Sequence, residues 1–516
     1  MITSSDKAYR EKPGSPLSGA QDPVEELARS RFGVSYLYPI QRFVMSNVLE
    51  GRPQIVVLPT GAGKSLCFQL PALLLNGPTL VLMPLLSLLS DQMRKMREAG
   101  IPAESLRGGL SPADKERLFS AIRAGETRLV LATPEACMAE PNLSALRSCG
   151  FAHMVVDEAH CVSEWGESFR PAYRDVGTLA RRIGVQMVSA FTATASRAVI
   201  EKIKALLFED EDVRLVAGSA DRPGIHYAVQ PVLSRGHALL QMAREAERPL
   251  LIFCRTRNDT EVAARAIRRG APDRPVAFYH AGLTREERSS VERWFLDSRD
   301  GALVATCAYG LGVDKPDIRS VVHADVPSSV ESYLQESGRA GRDGRPSRSI
   351  LLLSRDEELF RARLQDPVAR QRYERMLAYA RENGTCRRSH LLSLIGQDPV
   401  QCAGCDVCEG MALTTPAGQA EILWFARRHR RRFSIGEAAE VLSGAPGPRG
   451  ARAFHDCIPG YASLSSWEKD DVDAAIRSLL AAGSLSVPAR GPWKGRLTSS
   501  RMQRRGVPWQ VGPHQT

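Results

Sequence analysis

No stretch of this 516-residue chain reads as a membrane span or a secretory leader. Met1 to Pro23 is polar and rich in Ser, Pro and Gly, without the apolar core that a signal peptide needs. The most apolar passage, Leu70 to Leu89, is broken by Pro71, Asn76, Gly77, Pro78 and Pro84, which a lipid-spanning helix seldom tolerates. Internal tandem repeats are absent. An acidic excess is absent too: 69 Lys+Arg stand against 58 Asp+Glu, a net charge of +11. That balance favours a polyanionic partner, nucleic acid or an acidic membrane surface, over an acidic protein. The expectation is a cytoplasmic protein with reduced thiols, so its 11 cysteines need an explanation other than disulfides. Seven are scattered singly and are expected to pack as small apolar residues, and four are clustered.

What is present is an alternation of short apolar runs with longer helical patterns. Strand-length runs recur at Ile55–Leu58, Leu80–Met83, Leu129–Ala132, Met154–Val156 and Met187–Ala190. Leu86–Ala99 and Pro112–Ala124 read as helices between them. A second series follows at Leu250–Cys254, Val276–Tyr279, Ala302–Thr306, Ser320–His323 and Ser349–Leu353. This pattern predicts two parallel-sheet α/β blocks, joined near Gly218 to Pro223 where Gly, Ser, Asp and Pro cluster. Glu357 to Arg381 is charged and helical, and Leu413 to Gly418 reads as a linker. From residue 416 on, 15 Lys/Arg stand against 8 Asp/Glu, so most of the excess charge lies in the last hundred residues.

Leu58-Pro-Thr-Gly-Ala-Gly-Lys-Ser65 follows the first strand and opens a helix, the setting of a phosphate-binding loop. Gly61 and Gly63 let backbone amides approach phosphate, together with Thr60 and Ala62. Lys64 supplies charge for the β/γ-phosphates, and Ser65 a hydroxyl for Mg²⁺. The general pattern has Gly where this chain has Leu58. Val155-Val156-Asp157-Glu158-Ala159-His160 ends another strand. Asp157 can hold Mg²⁺ there, and Glu158 can activate the attacking water. Both read as parts of an ATP hydrolase.

Asp157-Glu-Ala-His160 followed by Cys161-Val-Ser-Glu-Trp-Gly-Glu-Ser-Phe-Arg-Pro-Ala-Tyr173 resembles the RecQ family of superfamily 2 DNA helicases. The resemblance extends through Pro59–Gln69, Pro84–Gln92, Phe191-Thr-Ala-Thr194, Phe253-Cys-Arg-Thr-Arg257 and Tyr279-His-Ala-Gly282. It continues through Ala305–Pro316 and Gln335-Glu-Ser-Gly-Arg-Ala-Gly-Arg-Asp-Gly344. It implies two RecA-like motor domains clamping ATP. Lys64, Asp157, Glu158 and His160 would stand on one side, with Arg342 as arginine finger, Arg339 beside it and Gln335 on the other. Gln41 would read the adenine edge. Trp165, Phe169 and Arg170 would form an aromatic-rich loop that stacks single-stranded DNA and reports it to the ATPase site. The chain departs from the family at Val34 and Tyr38 beside the adenine motif, where Tyr36 or Tyr38 could stack instead. It departs again at Glu164 and Glu167 in the aromatic-rich loop, where carboxylates would repel phosphate.

Cys386, Cys402, Cys405 and Cys408 can close a tetrahedron around Zn²⁺, with Arg387 and Arg388 adjacent and Asp406 inside the cluster. An iron–sulfur cluster also accepts four cysteines. The expectation is structural zinc, which the family pattern shares. Ser465 and Glu468 read as a capping box for a helix that presents Val472, Ile476, Leu479 and Leu480 on one face. Helices at Ile422–Phe425 and Ile435–Leu442, with a hairpin of Leu485–Val487 against Arg496–Thr498, suggest a winged helix. Its candidate duplex contacts are Arg490, Trp493 and Lys494, then Arg427, Arg428, Arg430, Arg431, Arg432 and Arg496.

The expected fold class is α/β: two RecA-like parallel-sheet motor domains, a helical zinc-binding subdomain and a winged-helix-like module. The expected division is a disordered tail at 1–22, motor domains at 23–217 and 218–356 and the zinc-binding subdomain at 357–412. The DNA-binding module follows at 413–500 and a flexible basic tail at 501–516. The expected activity is ATP-dependent 3′-to-5′ DNA unwinding in recombination and repair, with ATP, Mg²⁺ and Zn²⁺ as cofactors. Single-stranded DNA, duplex junctions and repair proteins are the expected partners, with no membrane. The acting species is expected to be a monomer in the cytoplasm, on the nucleoid. An RNA helicase of the same superfamily and an ATP-switched DNA-binding or strand-annealing protein are the competing readings.

Overall fold

Short buried runs of aliphatic residues build the two sheets. The computed structural model describes residues 22–59, 61–164, 171–185, 187–193, 195–208, 212–307, 315–445 and 457–500. The expected tails at 1–22 and 501–516 therefore lie almost wholly outside the described residues.

The first sheet contains β1 (Gln54–Val57), β2 (Thr79–Leu82), β3 (Ala103–Leu106), β4 (Leu129–Ala132), β5 (His153–Val156), β6 (Met187–Thr192) and β7 (Arg214–Ala217). All its pairs are parallel, in the order β3-β4-β2-β5-β6-β1-β7. Successive residues enter opposite layers. Ile55, Val57, Leu80 and Leu82 pack into one core, whereas Val56, Leu58, Val81 and Met83 pack into the other. Burial on both faces explains why these strands read as continuous apolar runs.

The second sheet contains β8 (Ile225–Pro231), β9 (Leu250–Phe253), β10 (Val276–Tyr279), β11 (Ala302–Ala305), β12 (Ser320–His323) and β13 (Ser347–Leu353). It is again all parallel, in the order β10-β11-β9-β12-β13-β8. In such sheets ligands bind at the carboxyl ends of the strands, where helix N-termini and loops gather.

The helical stretch expected from Glu357 to Arg381 is two helices, Asp356–Arg363 and Pro367–Arg381. Asp366 caps the second by accepting from the Val368 and Ala369 amides, and Pro367 occupies its first turn. Tyr373, Tyr379, Leu391 and Cys405 share one core with Tyr227 and Leu351 of the second sheet. The cysteine-bearing module is thus packed as part of that motor half.

Helices Gln419–Arg428, Ile435–Ser443 and Lys469–Ala481, with the hairpin β14 (Leu485–Ser486) and β15 (Thr498–Ser499), form the last unit. Two expectations are corrected here. Leu485 pairs with Ser499 and Ser486 with Thr498, so the second strand begins only at Thr498, the last residue of the expected Arg496–Thr498 run. The 469–481 helix has Glu468 as N-cap with no side-chain capping bond, so Ser465 and Glu468 form no capping box. The Ser465 amide instead closes a turn on Ala462 O at 3.1 Å. This unit's core reaches Leu233 of the second motor half, and Trp467 stacks on His237 at 3.9 Å. Among the described residues no helix is long and apolar enough to cross a membrane.

Candidate active site and metal centre

The turn after β1 is shaped by two glycines in left-handed backbone, Gly61 at φ 88° and Gly63 at φ 74°. At Gly63 a side chain is excluded twice, because a Cβ would meet Gln41 Nε2 at 2.5 Å. Gln41 is buried and donates from Nε2 to Ala62 O at 2.8 Å, while its Oε1 accepts from the Tyr38 amide at 3.0 Å. It therefore spans the segment before the 39–49 helix and the phosphate loop. Tyr36 and Tyr38 are 65% and 61% exposed and meet edge to face at 5.5 Å, leaving aromatic surface beside Gln41. Thr60 lies outside the described residues.

Lys64 and Ser65 begin the 64–72 helix. Lys64 Nζ donates to Leu58 O at 3.1 Å. Burial lowers the Lys64 pKa, and Glu158 and Asp157 oppose that shift, so lysine and carboxylates sense one another across the strand ends. Ser65 Oγ accepts from Gln92 Nε2 at 3.1 Å, and Gln92 in turn accepts from Gln69 at 2.8 Å. Gln92 was not singled out from the sequence. It sits on the 86–98 helix, and only the fold brings it to the loop.

Asp157 follows β5, its amide donating to Leu82 O at 3.0 Å. Burial first, then Glu158, push its carboxyl up to about 7, which a bound divalent cation would reverse. Glu158 adopts φ 49°, a strained conformation for a residue with a side chain and of the kind that concentrates at functional sites. His160 Nδ1 lies 3.1 Å from Thr192 Oγ1 and 3.4 Å from Glu158 Oε2, joining the acidic turn to the end of β6.

The second half presents Arg342 to this loop. Gln335 is half-buried on the 330–337 helix, and Arg339 is buried just after it. Arg342 Cγ stands 3.9 Å from the position a Cβ on Gly61 would take. Burial, Glu158, Asp157 and then Arg342 act in that order on Lys64. The cleft between the sheets thus gathers Lys64, Asp157, Glu158 and Arg342. Opposed cationic and acidic groups across a phosphate loop can bind a nucleoside triphosphate with its metal and stabilise charge on a transferring phosphoryl group.

The four thiolate-bearing residues Cys386, Cys402, Cys405 and Cys408 bring their Sγ atoms within 4.8 Å of one another. A tetrahedron with Zn–S of roughly 2.3 Å needs sulfurs roughly 3.8 Å apart, so the residues fit the metal. The amides of Gly404 and Cys408 point at Cys402 Sγ and Cys405 Sγ, each at 3.4 Å, as partners of charged sulfur do. Arg387 and Arg388, adjacent in sequence, are both 1% exposed. Arg387 Nε donates to Asp406 Oδ1 at 2.9 Å, and Asp406 Oδ2 accepts from the Val229 amide at 2.9 Å. Of the seven single cysteines, Cys67, Cys137, Cys149, Cys161 and Cys254 are buried as expected. Cys307 and Cys457 are exposed.

Trp165, Phe169 and Arg170 lie outside the described residues, as does Glu167, and nothing of the Glu164 side chain is described. On the last unit, Arg490 and Lys494 are exposed and Trp493 is 47% exposed, with Arg431 Cζ 5.8 Å above its ring. Arg496 pairs with Glu437 at 2.6 Å and donates to Arg432 O at 3.1 Å.

Two parallel sheets with a phosphate loop and an acidic turn on one and an opposed arginine, Arg342, on the other define a nucleic-acid motor of the helicase class. Family comparisons agree along the chain. Residues 38–203 match the DEAD/DEAH box helicase family, 234–344 the helicase conserved C-terminal domain, 354–409 the RecQ zinc-binding family and 419–502 the RQC domain. The ATP-dependent DNA helicase RecQ of Pasteurella multocida is 31% identical over 471 residues, covering 88% of this chain and 73% of that protein. The putative ATP-dependent DNA helicase Q1 of Caenorhabditis elegans is 34% identical over 407 residues, covering 75% and 64%. A solved structure of the helicase MrfA bound to DNA shares the fold at a TM-score of 0.56 with 17% identity, covering 94% of this chain and 63% of that one. The chain belongs to the RecQ family of ATP-dependent DNA helicases.

Proposed function

We propose that this protein hydrolyses ATP between its two sheets to move 3′ to 5′ along single-stranded DNA and to unwind duplex DNA in recombination and repair. The observation that carries the reading is the approach of Arg342 to Gly61, which sets a cation of one half against the phosphate loop of the other. Lys64 serves the β/γ-phosphates with the loop amides of 60–63, and Ser65 and Asp157 hold Mg²⁺. Mg²⁺ neutralises charge on the phosphates when bound. Glu158, steadied by His160, orients and deprotonates the attacking water. Arg342, with Arg339 beside it, stabilises charge only when the cleft is closed, which ties hydrolysis to relative motion of the halves. Gln41 reads the adenine edge, with Tyr36 or Tyr38 as the stacking face, and Gln335 completes the second-half side. Zn²⁺ on the four cysteines is structural.

Trp165, Phe169 and Arg170 are proposed to stack single-stranded DNA, and Arg490, Trp493 and Lys494 to meet the duplex at a junction. The acting species is proposed to be a monomer that works with repair proteins on the cytoplasmic nucleoid. Strand displacement on duplexes with a 3′ or a 5′ single-stranded tail tests the reading. ATP-dependent displacement of the 3′-tailed substrate, lost in Lys64→Ala, is expected. Displacement from the 5′ tail alone, or annealing without displacement, would overturn it.

A further inference from the structure

The loop that carries Arg339 and Arg342 is built to be pliable, yet it is tightly held. Gly341 and Gly344 sit at φ 57° and 81°, and the passage lies outside helix and strand. On one side the Gly341 amide donates to Ile318 O at 2.9 Å and the Asp343 amide to Pro316 O at 3.0 Å. On the other side a single guanidinium takes three of the loop's carbonyls, the weakest being Gly341 O at 3.5 Å. Arg222 donates from Nη1 to Gly338 O at 2.9 Å and from Nη2 to Ala340 O at 3.1 Å.

Arg222 lies in the connection between the two sheets, and that connection is itself clamped. Arg388, buried in the cysteine-bearing module, donates to the Asp221 carboxylate, to Arg222 O at 2.9 Å and to Ile225 O at 2.7 Å. Gln397 of the same module accepts from the Ala220 amide at 2.9 Å and donates to Gly218 O at 3.2 Å.

We propose that Arg222 is a positioning residue for the arginine finger, holding the 338–344 backbone in register with the inter-sheet connection that the cysteine-bearing module fixes through Arg388 and Gln397. A planar guanidinium fork suits this task, because its two donors fix distance and orientation together, which an ammonium cannot do. The consequence is catalytic because misplacing a group by about 1 Å costs on the order of 100-fold in rate. The Arg222 guanidinium bonds the backbone of the loop that carries the finger, so its loss should appear in turnover and leave ATP affinity in place. The inference rests on Arg342 being the arginine finger.

The test is steady-state ATP hydrolysis with saturating single-stranded DNA in Arg222→Ala, Arg222→Lys, Arg342→Ala and the double variant Arg222→Ala/Arg342→Ala. Bound zinc and thermal unfolding are measured on each protein. The expected result is a kcat lower by about 10- to 100-fold in Arg222→Ala, with KM for ATP within about twofold of wild type. Partial recovery in Arg222→Lys and a double variant no slower than Arg342→Ala alone complete the expectation. If Arg342→Ala is slow but Arg222→Ala turns over at the wild-type rate, the inference fails. It also fails if the two losses multiply in the double variant. If Arg222→Ala loses its zinc or its unfolding transition, Arg222→Lys decides: an intermediate kcat supports the inference and a wild-type kcat overturns it. If Arg342→Ala turns over at the wild-type rate, the finger reading itself is wrong, a result distinct from failure of the Arg222 link.

Discussion

His153 shows how one buried side chain sets a pH limit. It opens β5 with no exposure, its Nε2 lies 2.9 Å from Ser189 Oγ, and burial lowers its pKa to about 3. The unfolded chain gains a proton on this ring below about pH 6.5, whereas the folded chain stays neutral until far lower pH. Stability from this residue is therefore complete above pH 6.5 and falls as pH drops toward 3, by about 2 kcal/mol at pH 5. His153→Gln keeps a donor for Ser189 and removes the titration. Denaturant unfolding at pH 7 and pH 5 should show a smaller acid loss in the variant, whatever its stability at pH 7. Identical pH dependence in the two proteins would remove His153 from the account.

Among elements, the cysteine-bearing module depends on one carboxylate as well as on its four sulfurs. Asp406 serves a guanidinium that is 1% exposed and a backbone amide of β8 at once. Asp406→Ala leaves the Arg387 charge buried without its carboxylate, at a cost of roughly 3–5 kcal/mol. The first unfolding transition in urea, with zinc saturating, should shift down accordingly. An unchanged midpoint would mean that the other Arg387 bonds suffice. Legibility at this scale follows burial. β4 and β11 were readable because both faces are covered and every residue is apolar, and β1 because Ile55, Val56 and Val57 continue such a run after Gln54. β3, reading Ala-Glu-Ser-Leu, and β8, with its His226 and Gln230, are the terminal strands of their sheets, and β8 meets the cysteine-bearing module instead of a further strand. Their mixed composition carried no strand signal. In the same way the site's loops were legible because the phosphate loop and the acidic turn are contiguous in sequence. Arg222, Gln92 and Gln397 were not, since their partners lie far off in the chain and only the fold brings them together.

At the scale of the whole molecule, the two halves, the cysteine-bearing module and the final unit form one mechanical series. The phosphate loop faces Arg342, the loop carrying Arg342 is held by Arg222, and the connection holding Arg222 is gripped by Arg388. At the far end Trp467 stacks on His237, tying the last unit to the second half. A DNA-coupled motor needs such continuity, because hydrolysis in the cleft must be felt where nucleic acid is held. The most direct measurement is ATP hydrolysis with and without single-stranded DNA, in the wild-type protein and in Lys64→Ala. The account predicts hydrolysis that rises at least about tenfold with DNA and is lost in the variant. Hydrolysis indifferent to DNA, or surviving in Lys64→Ala, would contradict a DNA-coupled motor at this cleft.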